Sequence, residues 1–262
     1  MPKPTISTHT INTSFGASDI RVFEPSSDDI INGTVVTVHP WSFLGGGQHN
    51  TIGIARGIST KGWRVITFTL KSMPLYLGGA IGGILFRHYH EVNHITEVVE
   101  WAFKQYHKNN DVNSDKHMVL LGSSAGAPFA GSAMAKIQQQ QQAKISAFIA
   151  VGYTFGNLAS LGFGRHFHSV VGNSASSFCG SSSSSAKDDD EVPPKLFIMG
   201  ENDEFTSVDQ LESMVARMKS ANPNCRVDVD IVKSVGHFQL ESPSYDPVVA
   251  EKVVQWLEDA IL

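Results

Sequence analysis

The chain has 262 residues, 41% hydrophobic and 17% charged, with a formal net charge of −5. It is long enough to bury a large core without disulfide or metal staples, and it shows no basic stretch of the kind a nucleic-acid partner requires. Its two cysteines, Cys179 and Cys225, form no close-spaced motif, so a disulfide framework is not expected and a reducing compartment is the default.

The first residues, MPKPTISTHTINTSFG, lack the apolar run of a secretory leader. The most apolar segment, residues 78–86, is far too short to cross a bilayer. The expectation is a soluble, cytoplasmic chain forming one domain over residues 1–262.

Thr5 to Ile11 and Ile20 to Phe23 read as an opening hairpin. Thr34 to His39 (TVVTVH) reads as a buried strand, Gln48 to Thr60 as a helix and Trp63 to Leu70 (WRVITFTL) as the next strand. Val92, Ile95, Val98, Val99, Ala102 and Phe103 recur at helical spacing over Glu91 to His107. Met118 to Leu121 is a short apolar strand, followed by a helix of small residues from Gly126 to Gln142. Ile145 to Val151 and Lys195 to Met199 are strand-like. Ser207 to Lys219 is helical, with Ser207 or Thr206 as its cap, and Val227 to Val232 is a strand. Asp246 to Leu262 reads as a closing helix capped by Asp246, with Pro247 in its first turn. Strands alternating with helices imply a largely parallel sheet covered on both faces.

Two segments break the rhythm. Residues 70–90 are rich in glycine and aliphatics. They read either as a flexible connection or as an apolar pocket wall in which Leu75, Tyr76, Ile81, Leu85 and Phe86 receive an acyl chain. Residues 152–194 form an insert. Its first half, YTFGNLASLGFGRHF, suits a lid or an opposite wall and contains Phe155. Its second half, about residues 175–192, has the serine-rich and acidic composition of a disordered stretch.

Four short motifs carry chemistry. Gly122-Ser123-Ser124-Ala125-Gly126 lies between a strand and a helix. A nucleophile on such a tight turn needs small neighbours, and the helix N-terminus supplies N–H groups for a developing oxyanion. A lone G-x-S-x-G arises easily by chance in a chain this rich in glycine and serine, so its context is what gives it weight. His39-Pro40-Trp41-Ser42-Phe43-Leu44-Gly45-Gly46-Gly47 follows a strand, where a loop can aim a backbone N–H at a reacting carbonyl. The N–H groups of Trp41 and Ala125 are the expected oxyanion donors. Gly200-Glu201-Asn202-Asp203 follows KLFIM and offers Asp203 as the acid, with Glu201 and Glu204 as neighbouring rivals. Val235-Gly236-His237-Phe238 places His237 in a loop after VDVDIV. Phe205, beside the candidate acid, is taken with Phe155 as substrate-lining.

Ser124, Asp203 and His237 occur in the order nucleophile, acid, base, each just past a strand. On HPWSFLGGG, GSSAG, GENDEF and VGHF, residues 19–262 resemble the α/β-hydrolase superfamily, near its dienelactone-hydrolase-like and small serine-hydrolase branch. The resemblance implies an eight-stranded, doubly wound, mostly parallel sheet and a Ser–His–Asp triad. The chain departs from the common pattern at His39-Pro40, where a His-Gly pair is usual. It departs again at Ser124, where dienelactone hydrolases carry cysteine, so their lactone substrate is not implied.

The expected activity is hydrolysis of a small-molecule carboxylic ester or thioester through an acyl-enzyme, without metal or organic cofactor. An acyltransferase or peptidase on the same fold is one rival, and a non-catalytic scaffold retaining the fold is another. His88, His90 and His94 cluster at a helix start, and His90 and His94 are spaced as metal ligands can be. With no cysteine and only Glu91 beside them, they read as helix-surface or pocket-rim histidines.

Overall fold

In the computed structural model, residues 3–26, 31–40, 46–71, 89–107, 116–140, 143–155 and 192–262 are described. The opening hairpin pairs β1 (Thr5–Thr13) with β2 (Gly16–Glu24). Then follow β3 (Gly33–Val38), a 3₁₀ turn (Gln48–Thr51), α1 (Ile52–Ser59), β4 (Trp63–Phe68) and α2 (Tyr89–Tyr106). The chain continues through β5 (His117–Ser123), α3 (Gly126–Gln140), β6 (Ala147–Val151), β7 (Lys195–Gly200), α4 (Val208–Ala221) and β8 (Val227–Val232). It ends with a short α5 (His237–Leu240) and α6 (Asp246–Ala260).

The eight strands form one sheet in the order β1-β2-β4-β3-β5-β6-β7-β8. The β1/β2 and β2/β4 pairs are antiparallel, and β4 through β8 pair in parallel. Successive side chains on a strand face opposite ways, and the sequence fills both faces. Val36, Leu120, Phe148 and Phe197 face one way, into a core with Ile95 and Val99 of α2, Phe129 of α3 and Leu211 of α4. Val35, Val119, Ile149 and Ile198 face the other way, against Ile54 and Ile58 of α1 and Val249, Val253 and Leu257 of α6. This is the doubly wound sheet that the alternation predicts.

Some local expectations change. Gln48 to Thr60 is not one helix: it opens with a 3₁₀ turn, held by the Asn50 side chain accepting from the Gly47 N–H at 2.9 Å. The cap of α6 is Tyr245, not Asp246. Asp246 falls in the first turn and packs its carboxyl against Gly53 of α1, where burial raises its pKa to about 6. Ser207 does cap α4: its hydroxyl accepts from the Gln210 N–H at 3.2 Å, and the Gln210 side chain accepts from the Ser207 N–H at 2.9 Å.

His94 is not on a helix surface. It is fully buried, with Nδ1 accepting from the Lys71 N–H at 3.1 Å and Nε2 standing 3.1 Å from Ser18 Oγ. Burial outweighs the pull of Glu97 and lowers its pKa from 6.5 to about 4. Between those two values the unfolded chain binds a proton at this site and the folded chain does not, so stability falls as pH drops. Denaturant unfolding should show a loss of about 3 kcal/mol attributable to His94 across that interval. His94→Gln should flatten the slope by the same amount.

Candidate active site

The strand ends decide where the reactive groups meet. At the end of β5 the chain turns sharply, and Ser124 takes a φ of 51°, the left-handed region. That conformation costs a residue with a side chain roughly 1–2 kcal/mol. The neighbours explain how the turn is tolerated. A Cβ on Gly122 would lie 2.4 Å from the Ala127 Cα, and one on Gly126 would lie 2.3 Å from the His39 carbonyl oxygen. Both glycines let the head of α3 close onto the sheet. The Ser124 N–H donates to the Val151 carbonyl at 2.7 Å, so the turn stays tied to β6. The hydroxyl is carried above the sheet, with Ser124 8% exposed.

His237 is the first residue of α5 rather than part of an open loop. Its backbone N–H donates to Glu204 Oε2 at 2.8 Å, and the Ser234 N–H before it donates to Glu201 Oε2 at 2.8 Å. The two rivals for the acid position are therefore engaged with the backbone of the segment that carries the imidazole.

The imidazole Nε2 lies 2.7 Å from Ser124 Oγ, and Nδ1 lies 2.6 Å from Asp203 Oδ2. A carboxylate oxygen can only accept, so Nδ1 carries the hydrogen and Nε2 is left to accept from the serine. Asp203 is fixed in turn. Its Oδ1 accepts from the N–H groups of Phe205 and Thr206, both at 2.9 Å. The imidazole and carboxylate side chains are each 1% exposed.

Two further contacts were not foreseen. Gly152, just past β6, has a φ of 60°, and a Cβ there would stand 3.1 Å from the imidazole Cε1. The His237 ring thus rests against bare backbone. Glu241 places Oε1 3.4 Å from Nε2, on the side of the ring that also faces Ser124. Burial pushes the His237 pKa down, but Asp203 and then Glu241 more than reverse this, raising it from 6.5 to about 9.

Phe205 packs edge-on to the His237 ring with centroids 4.7 Å apart. Phe155 packs on Tyr153 at 5.4 Å, and its N–H donates to Thr206 Oγ1 at 3.1 Å. Thr206 Oγ1 donates to the Tyr153 carbonyl at 2.8 Å, joining the Asp203 loop to the end of β6. Ala125 is buried at the head of α3. Trp41, Leu75, Tyr76, Ile81, Leu85 and Phe86 lie outside the described residues, as does most of the 152–194 insert.

His39, two positions before Trp41 in the chain, is fully buried. Its Nε2 accepts from the Leu70 N–H at 2.8 Å, which leaves Nδ1–H to donate to the Pro40 carbonyl at 2.5 Å. Burial lowers its pKa, so the neutral ring can make both bonds. Among the described residues, no group of three His, Cys, Asp or Glu side chains could hold a metal ion, and no helix is long and apolar enough to cross a membrane.

The family model of the prolyl oligopeptidase family matches residues 87–262, more than half of the chain. The chain belongs to the prolyl oligopeptidase family. The matched region holds the Ser124 turn, Asp203 and His237. This prolyl oligopeptidase family member has the α/β-hydrolase fold and is a hydrolase by membership.

Solved structures of the same fold agree over nearly the whole chain. An α/β serine hydrolase homologue from Coxiella burnetii is 17% identical, with 96% of this chain and 97% of that chain covered and a TM-score of 0.63. A serine hydrolase without a lid from Xanthomonas campestris is 20% identical, covering 96% and 94%, with a TM-score of 0.61. A fungal esterase from Rhizomucor miehei is 15% identical, covering 99% and 83%, with a TM-score of 0.71. No protein of curated function matches the chain in sequence.

Proposed function

We propose that the chain hydrolyses carboxylic esters or thioesters through Ser124, His237 and Asp203. The observation that carries this reading is the continuous chain of contacts from Ser124 Oγ to Nε2 at 2.7 Å and from Nδ1 to Asp203 at 2.6 Å. As the Ser124 oxygen attacks the substrate carbonyl carbon, its proton moves to Nε2. Asp203 holds the ring in the required tautomer. When the tetrahedral intermediate collapses, the proton passes from Nε2 to the leaving group, and the acyl group stays on Ser124. A water then loses a proton to Nε2 and attacks the acyl carbon; as the bond to Ser124 Oγ breaks and the acid leaves, Nε2 returns that proton to Oγ.

In this reading the oxyanion in each step is held by the Ala125 N–H at the head of α3 and by the Trp41 N–H. Each such donor is typically worth about 2.7–4 kcal/mol of barrier. In this reading the substrate-binding residues are Phe205, Phe155, Leu75, Tyr76, Ile81 and Phe86.

Esters are favoured over amides because an activated serine meets a lower barrier with an alkoxide leaving group. The fungal esterase of the same fold supports this. The family match supports a second reading, cleavage of a peptide bond. A panel of p-nitrophenyl esters of increasing acyl length, acyl thioesters and aminoacyl amides separates the two. The ester reading expects esters to turn over fastest, and faster turnover of the amides would replace it with the peptidase reading. Adding an alcohol acceptor and assaying for a transferred acyl group tests the acyltransferase variant.

A further inference from the structure

We propose that Glu241 is a positioning residue for His237, standing beside the ring nitrogen that faces Ser124 and competing with the serine for that nitrogen's hydrogen. The inference rests on the triad reading above and assigns a second carboxylate to it.

The geometry comes from one helical turn. The Glu241 N–H donates to the His237 carbonyl at 3.3 Å, which sets the two side chains four residues apart on the same side of α5. Glu241 Oε1 is buried 3.4 Å from Nε2 and has no hydrogen-bond partner while Nε2 faces Ser124. A buried carboxylate oxygen without a donor is costly, and a protonated Nε2 would relieve that cost. The other groups around the ring do different work. Asp203, from the loop after β7, holds Nδ1, while Glu204 and Glu201 hold backbone N–H groups at 237 and 234. Phe205 and Phe238 make T-shaped contacts with the ring, and Gly152 at the end of β6 presents no side chain.

Two states of Nε2 follow. When it is bare, it accepts from Ser124 and the nucleophile is ready. When solvent protonates it, the new N–H lies between Ser124 Oγ and Glu241 Oε1, and the carboxylate draws it away from the serine. During turnover the proton that reaches Nε2 comes from Ser124 and leaves with the departing group. Glu241 forms no covalent bond. Because the carboxylate favours the protonated ring, kcat/KM should rise with pH through a limb near the His237 value of about 9 and fall below it.

The test is the pH profile of kcat/KM for wild type, Glu241→Gln and Glu241→Ser, with thermal melting to confirm folding. Removing an opposite charge this close should move the acid limb down by about 1–3 pH units. Activity at neutral pH should then rise relative to wild type. A limb that stays within a few tenths of a unit, or moves up, overturns the proposal. Imidazole NMR titration of Ser124→Ala with and without Glu241→Gln gives the same comparison without turnover, and equal midpoints also overturn it. Full activity of Ser124→Ala would instead defeat the triad reading, so the two failures are distinguishable.

Discussion

Ser124→Ala should lower kcat by about 10⁶-fold, the scale of loss when a serine hydrolase loses its nucleophile. The substitution removes one atom, Oγ, whose contact with Nε2 at 2.7 Å begins the proposed proton path. It leaves both flanking glycines, the backbone turn and the head of α3 in place. The remaining rate would come from substrate binding and the oxyanion donors alone. Alanine at a φ of 51° carries the same backbone strain as serine, so the melting temperature should barely move. A fluorophosphonate probe should label the wild type and leave the variant unlabelled. Equal labelling of both proteins would place the nucleophile elsewhere.

Asp203→Asn should lower kcat by about 10⁴-fold, the loss expected when the base is held in the wrong tautomer. The reason lies in how the carboxylate divides its two oxygens. Oδ1 accepts from the Phe205 and Thr206 N–H groups, both at 2.9 Å. An asparagine must keep its carbonyl oxygen there, because an amide nitrogen cannot accept. Its NH₂ then falls where Oδ2 faced Nδ1 and meets a ring nitrogen that bears hydrogen. The imidazole answers by moving that hydrogen to Nε2, where it opposes the Ser124 hydroxyl. The fold should survive, since the loop's backbone bonds are retained. A variant within about tenfold of wild type would show that Asp203 is not the orienting acid.

The sheet was legible because its strands are buried on both faces, and TVVTVH, WRVITFTL and KLFIM then read as runs dominated by β-branched and apolar residues. The turn at Ser124 was legible because sterics there demand small residues on both sides, and few sequences meet that between a strand and a helix. Asp203 stood out from Glu201 and Glu204 only through its place in the motif order. Nothing local in GENDEF says that both glutamates will hold the backbone of the His237 segment. α5 escaped notice because a helix of four residues has no amphipathic period to detect. Glu241 escaped with it, although the histidine–glutamate spacing of four is plain once a helix is assumed. Gly152 leaves room for a ring supplied from 85 positions further along. That proximity is tertiary, and no window on the sequence contains it.

The strand order bears on how such a protein is made. The serine turn needs β3, β5 and β6 around it, all of which precede residue 152, whereas the base arrives after β8, at the far edge of the sheet. On the proposed triad, a nascent polypeptide emerging from the ribosome displays its alcohol long before the imidazole that would awaken it. In that reading, no ester cleavage is expected of a chain whose synthesis has not yet passed residue 237.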